Sequence, residues 1–170
     1  MKMRYGGAMI DIVSRSPGET QKVARMLARE IHADGTRRAG RPRGAVVVAL
    51  SGELGAGKTT FTQGFARALG IREKIQSPTF VLMKIYDLKH EAVSAKHEYK
   101  YLVHIDCYRI HGPKDLIHLG LKDMLRDQDA TILIEWPERI KKIIPSNALW
   151  LFFGHGAGVH ERSIQIKGPA

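Results

Sequence analysis

The 170-residue sequence predicts one α/β domain, spanning 1–170, with helices packed on a mostly parallel central sheet. Three observations carry that expectation. The run "GAVVVAL", 44–50, is short, β-branched and apolar throughout, as a strand covered on both faces must be. The segment "KTTFTQGFARALGI", 58–71, puts Phe61, Phe65, Ala68 and Leu69 on one helical face and ends at Gly70. A second apolar strand, "ATILIEW" at 130–136, delivers one acid at its end. Nothing along the chain repeats, and no boundary divides it.

The remaining elements follow in order. "PGETQKVARMLAREIH", 17–32, has Val23, Ala24, Met26, Leu27 and Ile31 at helical spacing, with Pro17 and Glu19 suited to a first turn and Gly35 beyond the end. "VLMKIYDL", 81–88, and "YLVHIDCYRI", 101–110, read as strands around a long charged loop. "PKDLIHLGLKDMLRD", 113–127, gives one or two short helices broken near Gly120. "NALWLFF", 147–153, and the alternating "RSIQIK", 162–167, are late strands.

Composition narrows the functional classes. Hydrophobic residues at 44% and charged ones at 26% suit a globular chain with a real core. Cys107 is the one cysteine, which excludes a disulfide framework and a cysteine zinc cluster and fits a reducing compartment. No apolar run reaches the ~20 residues of a membrane span, and the N-terminus lacks a signal-type apolar stretch, so a cytoplasmic protein without membrane contact is expected. The net charge of +10 leaves two readings open: contact with an anionic partner, or a margin of solubility. Part of it lies in the Arg-rich stretch 33–44, which has Arg37, Arg38, Arg41 and Arg43 without apolar partners and reads as a flexible loop. A contact between this loop and nucleic acid or an acidic protein face would weaken with salt.

Gly52-Glu53-Leu54-Gly55-Ala56-Gly57-Lys58-Thr59 fits G-x-x-x-x-G-K-[ST] at every fixed position. A polyphosphate must be wrapped by backbone N–H groups, and a Cβ at the tight points would block that approach. The helix beginning at Lys58 aims its unpaired amides and positive dipole end at the same anion. Lys58 reaches the outer phosphates, and the Thr59 hydroxyl is placed to ligate Mg²⁺. Chance alone gives this pattern in about one chain of this length per hundred, and a buried strand before it with a helix after it is rarer still. The expected fold is therefore P-loop NTPase-like, three-layered, with nucleotide bound by Leu54, Gly55, Ala56, Gly57, Lys58, Thr59 and Thr60.

Hydrolysis needs acids near the metal and a polarised water, and in such sheets they stand where parallel strands end. Asp106 and Glu135 hold those positions and read as the catalytic and metal-binding pair, with Lys58 as the third catalytic group. Which acid touches Mg²⁺ directly stays open. In "QSPTF", Pro78 forces Ser77 into an extended conformation. The loop either presents Thr79 to the metal or terminal phosphate, or is an ordinary Ser-Pro turn. Trp136 is either core or a wall of the site. His104 shares a strand face with Asp106 and reads as a packed or hydrogen-bonding residue rather than a ligand. Cys107 reads as an inert, partly buried thiol. Asn147 is the sole asparagine, so the N-K-x-D loop of guanine-selective GTPases is absent and ATP is preferred by elimination.

Assembled, "LSGELGAGKTTFTQGFARALGI", "SPTF", "HIDCYRI", "LGLKD" and "LIEWPERI", in that order over roughly 44–150, resemble the TsaE family, also called YjeE. The resemblance implies a P-loop ATPase, weak by itself, that acts with TsaB and TsaD to place threonylcarbamoyl on adenosine of ANN-decoding tRNAs. ATP hydrolysis would reset the complex between turnovers, with tRNA met through the complex. It implies Lys58 as the phosphate lysine, Thr59 as magnesium ligand, Asp106 and Glu135 as the acids, and Trp136 as the tryptophan of "EWP". The Arg-rich stretch and "KHEAVSAKHEYK" are longer than the family's usual links. After Asn147 the match loosens, and Arg162 is the residue there that would face the nucleotide. Two other classes are a nucleotide-gated binding module, in which ATP orders the "SPTF" loop, and a small-molecule kinase, for which no acceptor pocket or arginine lid is recognisable.

Overall fold

A computed structural model describes residues 9–33, 44–78, 81–88 and 99–168. The chain runs β1 (Met9–Ser14), α1 (Pro17–Ala33), β2 (Val46–Gly52), α2 (Lys58–Ala68), β3 (Met83–Asp87), β4 (Tyr101–Asp106), α3 (Pro113–Ile117), α4 (Leu121–Arg126), β5 (Ala130–Glu135), a 3-10 helix (Pro137–Ile143), β6 (Leu149–His155) and β7 (Arg162–Lys167). Most of the Arg-rich stretch 33–44, the segment 89–98 and Thr79 lie outside the described residues. Among those described, no helix is long and apolar enough to cross a membrane.

The strands form one sheet in the order β1-β7-β6-β2-β5-β4-β3. Its centre is parallel: β2 pairs with β5 and β6, and β4 with β5. The outer pairs β1–β7, β6–β7 and β3–β4 are antiparallel. Side-chain alternation divides the apolar runs between two faces. Val48, Leu50, Leu102, Leu133 and Leu151 pack under α1 and α2 with Leu27, Phe61 and Phe65. Val47, Val103, Ile105, Ile132 and Ile134 pack on the other side with Leu116 of α3, Leu121 of α4 and Ile140 of the 3-10 helix. Helices on both faces make the three layers, and both-face burial explains why β2 and β5 read as unbroken apolar runs.

Local chemistry sets several boundaries. Ser16 and Glu19 form a reciprocal cap on α1: Glu19 N–H donates to Ser16 Oγ at 3.2 Å and Arg15 N–H to Glu19 Oε2 at 2.6 Å. α1 crosses α2 at Gly64, where a Cβ would stand 2.6 Å from Gln21 Cα. The expected strand 130–136 stops at Glu135, because Trp136 takes a left-handed conformation (φ 59°, ψ 49°) ahead of Pro137 and opens the 3-10 helix. The expected strand 101–110 stops at Asp106, and 81–88 narrows to Met83–Asp87. β1 was not expected from sequence. Its "MIDIVS" alternates, but with half-exposed residues on the covered side, and pairing with β7 supplies the rest.

Candidate active site

β2 runs into the glycine-rich turn, and α2 begins at Lys58. Gly52 approaches β6 so closely that a Cβ would sit 2.4 Å from the Phe153 carbonyl oxygen. Gly57, with φ 103°, occupies left-handed space that a side chain would strain, and no side chain caps the helix it precedes. The first amides of a helix have no intrahelical partner, so this end offers N–H groups and a positive dipole to an anion. The loop is braced from behind by the β6–β7 hairpin: Arg162 Nε donates to Gly55 O at 3.2 Å, and His155 Nε2 lies 3.3 Å from Leu54 O. Leu54 projects into solvent, while the Ala56 side chain is in the core.

Lys58 is 4% exposed. Its Nζ donates to Gly52 O at 2.6 Å and Glu53 O at 2.8 Å and lies 4.0 Å from the Trp136 ring centroid. Burial holds the ammonium below its ordinary value of 10.5, and Glu135, Glu138 and Asp106 pull it partly back. Ser51 donates to Glu138 of the 3-10 helix, which ties that helix to the end of β2.

The two acids stand side by side, since Asp106 and Glu135 are register partners at the ends of β4 and β5. Both are nearly fully buried on the α2 side of the sheet. Thr59 donates to the Glu135 carboxylate, 2.9 Å from Oε2 and 3.1 Å from Oε1. Thr62 Oγ1 is 3.2 Å from Lys58 O and 3.4 Å from Glu135 Oε1, and His104 Nε2 is 2.8 Å from the same oxygen. Asp106 accepts the Tyr108 N–H on Oδ1 at 2.9 Å and the Ser77 hydroxyl on Oδ2, which links β4 to the loop before β3. Trp136 packs on Tyr108, centroids 5.1 Å apart.

Lys58, Thr59, Asp106, Glu135 and Trp136 thus converge, and Leu54, Gly55, Ala56, Gly57 and Thr60 sit on the adjoining loop and helix start. The sequence reading missed Thr62 and Ser77, and it did not see that His104 binds Glu135. Thr62 was findable, one turn after Lys58 on a face that must meet the sheet; the partner of His104 depends on how β4 lies beside β5. Cys107 is fully buried rather than partly so, and burial pushes its thiol up to about 12.

Hydroxyl and carboxylate oxygens are the donors a hard cation such as Mg²⁺ takes, and a glycine turn beside a buried lysine suits a polyphosphate. The residues therefore fit Mg²⁺ and a polyphosphate. Fold and site together define a three-layer α/β protein with a glycine-rich loop between a central parallel strand and the following helix.

Comparison with known proteins agrees and is more specific. The family model described as "Threonylcarbamoyl adenosine biosynthesis protein TsaE" matches residues 14–164. The chain belongs to the TsaE family. It is 34% identical over 133 residues to the tRNA threonylcarbamoyladenosine biosynthesis protein TsaE of Treponema pallidum, covering 78% of this chain and 82% of that one. The Bacillus subtilis protein of the same name is 38% identical over 118 residues, 69% of this chain and 66% of its own length. For that of Haemophilus influenzae the identity is 36% over 101 residues, and the match spans 59% of this chain and 58% of the relative. The crystal structure of Bacillus subtilis YdiB superposes with a TM-score of 0.69 at 28% identity, covering 98% of this chain and 90% of that one.

Proposed function

We propose that this chain is a Mg²⁺-dependent ATPase that works in the cytoplasm with TsaB and TsaD and drives their turnover in forming N6-threonylcarbamoyladenosine on tRNA. The observation that carries the reading is the Thr59 hydroxyl, second residue of α2, set against the Glu135 carboxylate with Asp106 alongside. The relatives' names supply the pathway, and the absence of an N-K-x-D loop supports adenine over guanine.

Bound Mg²⁺–ATP supplies a terminal phosphoryl group that water can accept, with part of its charge neutralised by the metal. Amides of Gly55 to Thr60 would hold the phosphates, and Lys58, which rests on the Gly52 and Glu53 carbonyls, would supply the positive charge beside them. Thr59 would ligate the metal, while Asp106 and Glu135 would divide metal binding and water activation between them. Trp136 walls the lysine side, and Thr79 keeps the role toward the metal or terminal phosphate that its place in "QSPTF" suggests.

ATP turnover stimulated by TsaB–TsaD tests this. Lys58→Ala and Glu135→Ala should each lower it by about a hundredfold or more, the scale of losing a charge-stabilising or acid–base group. Full turnover by Glu135→Ala would remove that residue from the chemistry. Nucleoside analysis of tRNA from depleted cells, rescued by wild type and not by Lys58→Ala, tests the pathway. The Ser77–Asp106 hydrogen bond favours a second reading, in which nucleotide occupancy sets the loop and hydrolysis is incidental. Repeated modification cycles supported by a non-hydrolysable analogue would select it.

A further inference from the structure

Glu135 is bonded asymmetrically. Oε1 takes His104 Nε2 at 2.8 Å and lies within 3.4 Å of Thr62 Oγ1, both fully buried groups. Oε2 takes the shorter of the two Thr59 contacts, 2.9 Å, at the start of α2 where the phosphates would lie. The His104 Nε2 must carry the hydrogen in its bond, because a carboxylate offers none. Its Nδ1 is buried with no hydrogen-bond partner among the described residues. An apolar side chain would fill that place without leaving a polar atom unpaired, so packing does not explain an imidazole here. The bond to Glu135 does.

We propose that His104 is a positioning residue for Glu135: its Nε2–H pins Oε1 against the floor of the site and turns Oε2 toward Thr59 and the phosphate side. The last torsion of a glutamate is broad, so a carboxylate held at one oxygen only from the open side would sample several orientations. A planar donor fixed on β4 removes that freedom before substrate arrives, and pre-orientation of this kind bears on the chemical step rather than on nucleotide affinity. β4 is well placed to supply it. His104 and Asp106 share a strand face, and Asp106 lies beside Glu135 in register, so one strand sets one acid and carries the other. This role rests on the ATPase reading above and gives a single side chain a separate, testable part in it.

The experiment compares wild type, His104→Leu, His104→Asn and His104→Gln. Asparagine keeps a polar amide but is too short to reach Oε1; glutamine places its amide nitrogen near the position of Nε2. We expect kcat for ATP to fall about 10-fold to 100-fold in His104→Leu and His104→Asn, the range for losing a partner that orients a working ligand. The Kd for a fluorescent ATP analogue and KM should stay within about threefold, and His104→Gln should recover most of kcat. Proton NMR gives a readout independent of turnover: a slowly exchanging imidazole N–H in wild type that disappears in His104→Gln and loses its protection in Glu135→Ala. Wild-type kcat in His104→Leu or His104→Asn overturns the role of His104 and leaves the ATPase reading standing. So does a glutamine variant that loses kcat as fully as leucine, for then the site needs the ring and not the donor. A wild-type chain that neither binds nor hydrolyses ATP overturns both.

Discussion

Lys58 Nζ lies 4.0 Å from the centre of the Trp136 ring, so the buried ammonium is held by an aromatic face as well as by the Gly52 and Glu53 carbonyls. Trp136 reaches that place through its left-handed backbone at the end of β5, a conformation uncommon for a bulky residue. Cation–aromatic contacts of this kind contribute about 0.5–2 kcal/mol, enough to bias where the lysine rests and small enough for a phosphate to displace it.

Trp136 should therefore report occupancy. In a Trp150→Phe background Trp136 is the one remaining tryptophan. Adding Mg²⁺–ATP should change its emission as Lys58 moves to the phosphates, and the change should vanish in Lys58→Ala. Emission that stays constant at saturating nucleotide would show that the lysine does not leave the ring.

Lys58→Met should stabilise the fold at neutral pH by about 1 kcal/mol, a trade of stability for function seen where charges are buried for use. Burial lowers the lysine pKa in the folded state, so below that pKa the folded protein carries the full cost of a desolvated ammonium. Between the lowered value and 10.5 the folded state releases the proton first, and wild type gains stability as pH rises. The advantage of Lys58→Met should thus shrink from neutral toward alkaline pH in thermal melts. An advantage that grows with pH would contradict the assignment of burial as the cause.

Gly64→Ala sets two effects against each other. Alanine improves helix propensity by about 1 kcal/mol. Its Cβ, however, would stand 2.6 Å from both Cα and O of Gln21, where backbone must shift, and overpacking costs about 1–3 kcal/mol or more. The contact should win, and urea titration should show a lower midpoint. A stabilised variant would mean that α1 and α2 separate easily.

Cys107 has no exposed surface and a thiol pushed up to about 12 by burial, with Asp106, Glu138 and Glu135 adding to the shift. At pH 8 only about one thiol in ten thousand is then ionised. A thiol reagent should label one cysteine per chain after denaturation and almost none before. ATP turnover should be indifferent to the reagent under native conditions.

Much of this was legible in the chain itself. The glycine turn was readable because its constraint is local: glycine alone takes φ 103° at position 57 without strain, and Lys58 next to it reaches back to the Gly52 and Glu53 carbonyls. The strands β2 and β5 were readable because burial on both faces leaves them short, β-branched and almost wholly apolar, with Thr131 the one polar residue before the acid in β5. Asp106 and Glu135 were placed correctly at strand ends, for an apolar run that stops at an acid marks its own edge. The strand β1 was less legible, since six residues of partial alternation gain their meaning only from pairing with β7. The helical turn after Glu135 was missed for a related reason: the left-handed turn at Trp136 serves the packing of the next segment.

The sequence by itself determined that a glycine-rich loop joins a buried strand to a helix, and that Asp106 and Glu135 each close a strand, because those features depend on residues adjacent in the chain. Tertiary structure alone decided that β4 lies beside β5, that His104 therefore meets Glu135, that Trp136 covers Lys58, and that Arg162 and His155 brace the loop from 107 and 101 residues away. Such contacts join side chains whose separation along the chain carries no information about their distance in space. Strand order and register set that distance, and both are fixed only when the whole sheet has assembled.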